Sequence, residues 1–344
     1  MEQKNKRILI FNVNWLGDVL FSTATIRNVR RNFPDSYIAC IVPSRCYQIV
    51  KDNPHLNEII IYDEKDRHRG VLSTLKFVQT LRDKRFDVVY LLHRSFTRAL
   101  LCRLAGIRER VGHVTRKRAF LLTKKIPAPH PHSVHRIDYY LSVIENAGLR
   151  VEDRYTEFFF SAQDQEYAQK FLKQQGITEG DFVVALNPAG NWIPKRWPQE
   201  YWAQLADVLI ERLGARVIIT GSVADTPLVN QIQSLMIRKP IVACGVFNLK
   251  QLGALCKRLD VFVSGDTGPL HIANAVNTKK IVALFGPTSR ALTGPQPQGA
   301  ATVLHKDVGC VIPCYVGTCA SRRCMMAITP DEVFRNIESL KKNG

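Results

Sequence analysis

Short apolar runs alternate with longer amphipathic stretches through the first part of the chain. In the amphipathic stretches apolar residues recur every three or four positions, which predicts helices, whereas the compact apolar runs predict buried strands. The predicted strands are 7–11, 37–42, 58–62 and 87–92, and the predicted helices are 18–32, a segment from about Arg45, and 71–83. This alternation is typical of a parallel sheet with helices on both faces.

A second series of the same kind begins near Asp181. Its predicted strands are 182–187, 216–220, 241–243, 260–264 and 280–285, and its predicted helices are 199–213, 225–237 and 248–258. A chain of 344 residues has the length of two domains. The sequence therefore predicts an α/β protein with two Rossmann-like, doubly wound parallel sheets. The expected domains are 1–165 and 181–330, and a C-terminal helix over 331–344 is a candidate to pack back on the first domain.

Ligands of open α/β sheets bind at the carboxyl ends of the strands. Two such domains facing a central cleft would bring both of these edges to one ligand. Three loops that follow predicted strands carry polar residues suited to such a cleft, namely 12–18, 187–198 and 265–268.

The loop at 265–268 reads Gly-Asp-Thr-Gly and leads into a predicted helix that begins at Pro269. Backbone amides at a helix N-terminus bind anions, so Asp266, Thr267 and Gly268 are candidates to hold a phosphate. His271 follows one turn into the helix. The alternatives are an ordinary turn between strand and helix, and a structural histidine.

The other two loops carry one charged candidate each. Asp18 follows Gly17 in the first loop and is either a helix cap or a general base that faces a ligand. Lys195, in the second loop, is either a surface lysine or the group that neutralises a diphosphate as it leaves.

Several nucleotide-binding motifs are absent from the sequence. There is no GxxxxGK[ST] and no GxGxxG after a strand, so neither a P-loop ATPase nor a dinucleotide oxidoreductase is supported. There is also no Asp-x-Asp pair to hold a metal ion on a nucleotide sugar. We therefore expect no cofactor and no metal at these loops, and charge on a leaving group would be met by Lys195 and backbone amides.

The net charge of +18 is concentrated in the N-terminal part of the chain. Residues 1–150 hold 27 Lys and Arg against 13 Asp and Glu, and residues 94–125 hold ten basic residues and one acid, Glu109. This excess indicates either a solvated face or a polyanionic partner. The aromatic platforms and recognition motifs of nucleic-acid modules are absent, so no nucleic-acid partner is expected.

The sequence shows no apolar run of the roughly 20 residues that span a bilayer and no signal peptide at its start, so a cytoplasmic location is expected. Nine cysteines in such a chain are expected to be reduced thiols. Four of them, spaced C-x3-C-x4-C-x4-C, are Cys310, Cys314, Cys319 and Cys324. Their alternatives are reduced thiols, a redox-dependent disulfide, or a zinc site, for which paired C-x2-C knuckles would be the stronger signal.

Taken together, the NWLGD segment at 14–18, the KRWP segment at 195–198 and the SGDTGPLHIANA segment at 264–275 are recognisable. They resemble the ADP-heptose:lipopolysaccharide heptosyltransferase family, glycosyltransferase family nine. The stretch SFTRALLCRLAGIRERVG at 95–112 is most similar to its heptosyltransferase II members. The resemblance implies a GT-B enzyme that inverts the anomeric carbon, needs no bound metal, and binds ADP-heptose mainly with its C-terminal domain.

The resemblance also implies roles for individual residues. Asp18 matches the catalytic base, Lys195 the lysine near the donor phosphates, and Asp266, Thr267, Gly268 and His271 the diphosphate loop and its histidine. Gly190 and Asn191 stand where relatives often carry hydroxyl residues near the phosphate, and Asp225 is a candidate to reach the ribose.

The implied acceptor is the phosphorylated inner core of lipopolysaccharide, bound mainly by the N-terminal domain. Candidate acceptor-binding residues there are Gly17, Arg94, Arg98 and Arg116. Peripheral contact with the anionic cytoplasmic face of the inner membrane is expected as well. Alternatives are transfer of another activated sugar or to another acceptor by the same fold, and a non-catalytic nucleotide- or polyanion-binding protein.

Overall fold

The computed structural model describes residues 5–130, 132–296 and 301–342. The chain forms two compact units, Met1–Phe159 and Phe160–Gly344. Each unit is built around one six-stranded sheet in which all neighbouring strands are parallel. The predicted α/β fold with two doubly wound parallel sheets is confirmed.

The first unit has the strand order β3-β2-β1-β4-β5-β6. Its strands are β1 (Arg7–Phe11), β2 (Tyr37–Val42), β3 (Glu58–Ile61), β4 (Val88–Leu91), β5 (Glu109–His113) and β6 (Lys124–Ile126). Its helices are α1 (Leu16–Phe21), α2 (Thr23–Asn32), α3 (Tyr47–Val50), α4 (Val71–Asp83), α5 (Phe96–Leu104) and α6 (Arg136–Glu145).

The predicted helix over 18–32 is two helices in the structure, α1 and α2, separated at Ser22. The Ser22 hydroxyl donates to the carbonyl of Val19 at 2.6 Å, and the Thr23 hydroxyl donates to that of Leu20 at 2.7 Å. Such bonds from hydroxyl to backbone compete with the regular helical pattern and bend or interrupt it. The predicted helix from Arg45 is a short 3₁₀ turn at Ser44–Cys46 followed by α3, whereas the helix over 71–83 is present as predicted.

The second unit has the strand order β12-β11-β10-β7-β8-β9. Its strands are β7 (Val183–Asn187), β8 (Arg216–Gly221), β9 (Ile241–Cys244), β10 (Val261–Gly265), β11 (Ile281–Phe285) and β12 (Ala301–His305). Its helices are α7 (Ala162–Gln174), α8 (Gln199–Leu213), α9 (Thr226–Leu235), α10 (Leu249–Arg258), α11 (Gly268–Ala275), α12 (Arg290–Thr293), α13 (Arg323–Met326) and α14 (Pro330–Lys342). Counted from its own first strand, this sheet repeats the order of the first.

Central strands are buried on both faces. Every residue of β7, β10 and β11 is buried, as expected for parallel strands that have helices on both sides. Because β1 and β10 are central in their sheets, the loops that follow them lie at the reversal point of strand order, where such folds bind ligands.

The end of the chain belongs to the second unit. Helix α14 packs against α8, and Val333, Phe334 and Ile337 lie in the core of that unit. The expected return of a C-terminal helix to the N-terminal domain is therefore wrong for the described residues; 343–344 lie outside them. The apolar stripe of α14 explains the difference, because it buries its large side chains between α8 and β11. In the described segments, no helix has both the length and the apolar character needed to cross a bilayer.

Candidate active site

A buried carboxylate organises the loop that follows β10. Asp266 is 7% exposed, and its Oδ2 accepts hydrogen bonds from Lys195 Nζ at 3.0 Å and from Thr293 Oγ1 at 3.3 Å. Its other oxygen, Oδ1, lies 3.1 Å from Nε2 of His271. Asp266 thereby joins the 3₁₀ turn at Ile193–Lys195, the first turns of α11 and the short helix α12. The structure thus brings together three predicted residues, Lys195, Asp266 and His271, from two separate motifs.

The pKa of the Asp266 carboxyl is held well below its ordinary value. Burial raises the pKa of this group, but the hydrogen bond from His271 and the positive charge of Lys195 lower it by more. Asp266 is therefore ionised at neutral pH and pairs with the ammonium group of Lys195. The Lys195 side chain keeps 24% of its surface exposed, which leaves part of it accessible to a ligand.

Thr267 and Gly268 lie where β10 passes into α11. Thr267 stands just before the first helical residue, Gly268, and Pro269 occupies the first turn. The Thr267 hydroxyl lies 3.0 Å from the Ser264 hydroxyl, and within the described chain it gives α11 no side-chain cap. Amides in the first turn of a helix lack partners inside the helix, so this helix start is suited to an anionic ligand.

The loop at 187–198 lies against the same helix start. A Cβ atom added at Gly190 would stand 3.4 Å from Cγ2 of Thr267, so the two loops are in close contact. Arg196 Nε donates to the Gly190 carbonyl at 2.7 Å, and the buried Trp197 donates from Nε1 to the Ile328 carbonyl at 2.8 Å. These bonds fix the segment that carries Lys195.

Two further candidates in this unit have different surroundings. Asn191 is exposed, next to Gly190. Asp225 accepts hydrogen bonds on Oδ2 from the backbone amide of Ser222 at 2.8 Å and from the Ser222 hydroxyl at 2.6 Å, in a capping box. Asp225 therefore stabilises the turn after β8, and its contact with a ribose stays a prediction.

In the first unit, Asp18 lies in the first turn of α1, at the carboxyl end of β1. The hydroxyl of Tyr140, in the middle of α6, donates a hydrogen bond to Asp18 Oδ1 at 2.8 Å. Burial and the negative charge of Asp18 raise the pKa of Tyr140 well above its ordinary value. Tyr140 therefore keeps its proton and acts as a donor to the carboxylate. Gly17 directly precedes Asp18 in the same turn.

Arg98 is buried, so the expectation that it binds an acceptor is wrong. It is 2% exposed, and its guanidinium donates to the carbonyl of Asn12 and to the side chain of Asn14. Burial lowers the pKa of Arg98 to about 10, which still leaves it charged at neutral pH. Arg98 thus holds the loop that leads to Asp18, whereas Arg94 and Arg116 are exposed as expected of acceptor-binding residues.

The four C-terminal cysteines line one small cavity, about 30 Å³ in volume, together with Pro194 and Gly286. All nine cysteines of the chain are free thiols. Across 5–130, 132–296 and 301–342, no three His, Cys, Asp or Glu side chains converge as a ligand set for a metal ion. The thiols are thus neighbours without forming a preassembled metal site in this structure.

Sequence reasoning missed two polar contributors, Tyr140 and Thr293. Tyr140 lies in the sequence RIDYYLSVIE, where a tyrosine on an amphipathic helix gives no sign that its hydroxyl meets a carboxylate more than 100 residues away. Thr293 ends a four-residue helix, α12, that no periodicity could predict.

Two Rossmann-like units of the same topology are the architecture of GT-B glycosyltransferases, and here the loops after β1 and β10 carry Asp18 and Asp266. Comparison with known proteins supports this. The sequence profile described as "Glycosyltransferase family 9 (heptosyltransferase)" matches residues 74–322. The chain belongs to glycosyltransferase family 9 and is a glycosyltransferase.

Similar proteins cover the chain almost from end to end. Lipooligosaccharide heptosyltransferase 2 of Haemophilus ducreyi is 28% identical over 97% of this chain and 99% of that protein. The crystal structure of a family 9 glycosyltransferase from Veillonella parvula superposes with a TM-score of 0.89 and 26% identity, covering 100% of this chain and 99% of the other. Heptosyltransferase II of E. coli gives a TM-score of 0.80 at 25% identity, covering 98% and 100%.

Proposed function

We propose that this enzyme transfers heptose from ADP-heptose to the inner core of lipopolysaccharide, with inversion at the anomeric carbon and without a bound metal ion. The observation that carries the proposal is the cluster of the half-buried Lys195 with the buried Asp266 and His271 beside the start of α11. A fixed lysine and the amides of a helix start suit a diphosphate leaving group. The names of the curated relatives, lipooligosaccharide and lipopolysaccharide heptosyltransferases, support the donor and acceptor classes.

The proposed reaction is a single displacement. A hydroxyl oxygen of the acceptor attacks the anomeric carbon of the donor and forms the new glycosidic bond, and its proton passes to the carboxylate of Asp18. The bond between the anomeric carbon and the phosphate oxygen breaks on the opposite face, and ADP leaves with the electron pair. Lys195 and the amides at 266–268 stabilise the charge on the leaving phosphate. Tyr140 orients Asp18 through its hydrogen bond.

The acceptor is proposed to contact the first unit. Arg94 and Arg116 are exposed and can bind carboxylates or phosphates of the inner core, and Gly17 directly precedes Asp18 in the same turn. The anchoring of this acceptor in a bilayer places the enzyme, in this proposal, on the cytoplasmic face of the inner membrane as a peripheral protein.

The test is incubation of the enzyme with ADP-heptose and a panel of truncated lipopolysaccharide acceptors, with the product mass measured. We expect a gain of one heptose on the acceptor that ends one sugar short of the product, with unchanged yield after treatment with a chelator. The anomeric configuration of the product, read by NMR, tests inversion. Absence of a mass gain on every acceptor contradicts the proposal.

The alternatives differ in their ligands. A donor panel of other nucleotide sugars tests transfer of a different sugar by the same fold. Binding of ADP and of oligonucleotides, compared at physiological salt, tests a non-catalytic polyanion-binding protein. We expect ADP to bind and oligonucleotides to be released, because electrostatic binding of nucleic acid weakens steeply with salt.

A further inference from the structure

Large apolar side chains are exposed along one edge of the first sheet. Each of the segments that follow β1 to β5 carries at least one of them: Trp15, Tyr47, Val71, Leu72, Leu75, Phe96 and Phe120. The sheet is parallel, so these segments all start from its carboxyl edge. Only Leu104 and Tyr155, among the exposed large apolar residues described in this unit, lie elsewhere. Exposed apolar side chains gathered in one region mark interaction surfaces.

Two of these side chains form an aromatic pair in basic surroundings. The rings of Phe96 and Phe120 lie 6.2 Å apart between centroids, and Phe120 is 65% exposed. The exposed side chains of Arg94, Arg116 and Lys117 are close to them in sequence. Neither 92–108 nor 110–137 contains any Asp or Glu. The aromatic pair is therefore flanked by positive charges, and neither of the two segments that carry it supplies an acidic residue nearby.

The start of α4 adds an aliphatic patch. Val71 and Leu72 are 76% and 77% exposed, and Leu75 is exposed one turn further along the helix. Phe77 and other residues on the opposite side of α4 are buried in the core. Helix α4 packs against α5, and Arg82 donates a hydrogen bond to the Leu104 carbonyl at 2.8 Å. The aliphatic patch thus lies at the start of α4 and Phe96 of the aromatic pair at the start of α5, and these two helices are neighbours on the same face of the sheet.

We infer that Phe96, Phe120 and the start of α4 form a docking surface for an anionic lipid bilayer, with the exposed Lys117 meeting lipid phosphates. A polar glycan does not remove these apolar side chains from water, whereas the interfacial region of a bilayer does. Aromatic side chains are favoured at that depth, and basic residues are attracted to an anionic surface. The inference rests on the proposed function, in which the acceptor is anchored in a membrane.

Co-sedimentation of the full-length enzyme with vesicles tests the surface directly. We expect binding to vesicles of phosphatidylcholine with phosphatidylglycerol, and little binding to phosphatidylcholine alone. The double variant Phe96→Ser/Phe120→Ser should lower the partition coefficient about tenfold, and Val71→Ser/Leu72→Ser should do the same. The control is Ile237→Ser, which changes an apolar residue of the second unit that is 87% exposed and should leave binding unchanged.

A second measurement separates this inference from the proposed function. Heptose transfer to a deacylated core acceptor, which has no lipid, should be unchanged in both double variants. Unaltered vesicle binding by both variants, or equal binding to neutral vesicles, overturns the docking surface even where transfer is normal. If the double variants weaken vesicle binding but the wild-type enzyme transfers no heptose to any acceptor, the docking surface is upheld and the proposed function is contradicted.

Discussion

The phenol of Tyr140 donates a hydrogen bond to Asp18 over 2.8 Å, joining the middle of α6 to the first turn of α1. A carboxylate on a short helix has several rotamers, and a buried donor selects one of them. The bond holds one carboxylate oxygen of Asp18 in a fixed orientation, which suits a group that is to accept a proton from a bound hydroxyl. Tyr140 is thus a positioning residue for the proposed base.

Replacing Tyr140 by Phe tests this relationship. We expect kcat to fall about tenfold, the value of one lost hydrogen bond to a charged group. The KM values for donor and acceptor should stay near those of the wild type, because the bond acts on the proposed base and not on a bound substrate. A purely structural role for Tyr140 would lower stability and leave kcat of the folded enzyme unchanged, so the split between kcat and KM is the deciding measurement.

Asp18→Asn should abolish transfer, with kcat lowered by about 10³-fold or more, since general-base catalysis contributes at this scale. ADP binding, measured by calorimetry, should be nearly unchanged because the proposed nucleotide site lies in the second unit. Normal turnover by the Asn variant would contradict the assignment of the base.

Lys195→Met keeps the length of the side chain and removes its charge. We expect kcat to fall about 10²-fold or more through loss of stabilisation of the leaving group, and ADP to bind more weakly. Arg212→Met is a suitable control, because it removes a basic charge from α8 in the same unit. Equal kcat values for Lys195→Met and the control would contradict a role at the leaving group.

Asp266 should make the stability of the second unit depend on pH. Its folded-state pKa is depressed, so its ionised form stabilises the fold above the ordinary Asp pKa of about 4, and this contribution is lost as the pH falls below that value. In urea unfolding, Asp266→Asn should be less stable than the wild type at pH 7, and the gap should narrow on acidification below about pH 4. A gap that stays constant over that range would show that the cluster does not act through ionised Asp266.

Replacing Arg98 should lower the stability of the protein, whereas replacing Arg116 should weaken acceptor binding and leave stability unchanged. Arg98→Met leaves the carbonyl of Asn12 without its buried donor, so we expect a loss of about 2–4 kcal/mol in the free energy of unfolding. Arg116→Gln changes an exposed residue and should leave stability within about 0.5 kcal/mol while raising the KM for the acceptor. Urea unfolding and acceptor kinetics on both variants distinguish the roles.

The parts of this molecule that sequence reasoning predicted are those with a local signal. Short stretches of sequence are enough to indicate the alternation of strands and helices and to show the glycines and prolines at loop ends. The two sheets and the loop at 265–268 could therefore be predicted. Arg98 could not, because an arginine in a basic segment has the same local pattern whether it faces solvent or lies under a neighbouring loop.

The interruption of the helix at Ser22 and the packing of α14 in the second unit could not be predicted from the sequence for the same reason. Whether a serine hydroxyl bonds its own helix, and which unit receives an amphipathic C-terminal helix, are decided by contacts distant in sequence. The Tyr140–Asp18 and Thr293–Asp266 bonds likewise join segments whose proximity is set only by the folded sheet.

The pairing of Lys195 with Asp266 has a consequence for the end of each catalytic cycle. A lone lysine at a diphosphate site would hold the departing nucleotide tightly and slow its escape. Here the ammonium group already has an ionised partner at 3.0 Å, so the pocket carries little net charge from this pair when it is empty. In the proposed site, an ammonium group that is partly neutralised in this way attracts the product nucleotide less than a lone lysine would, so a spent nucleotide can be exchanged for a fresh donor.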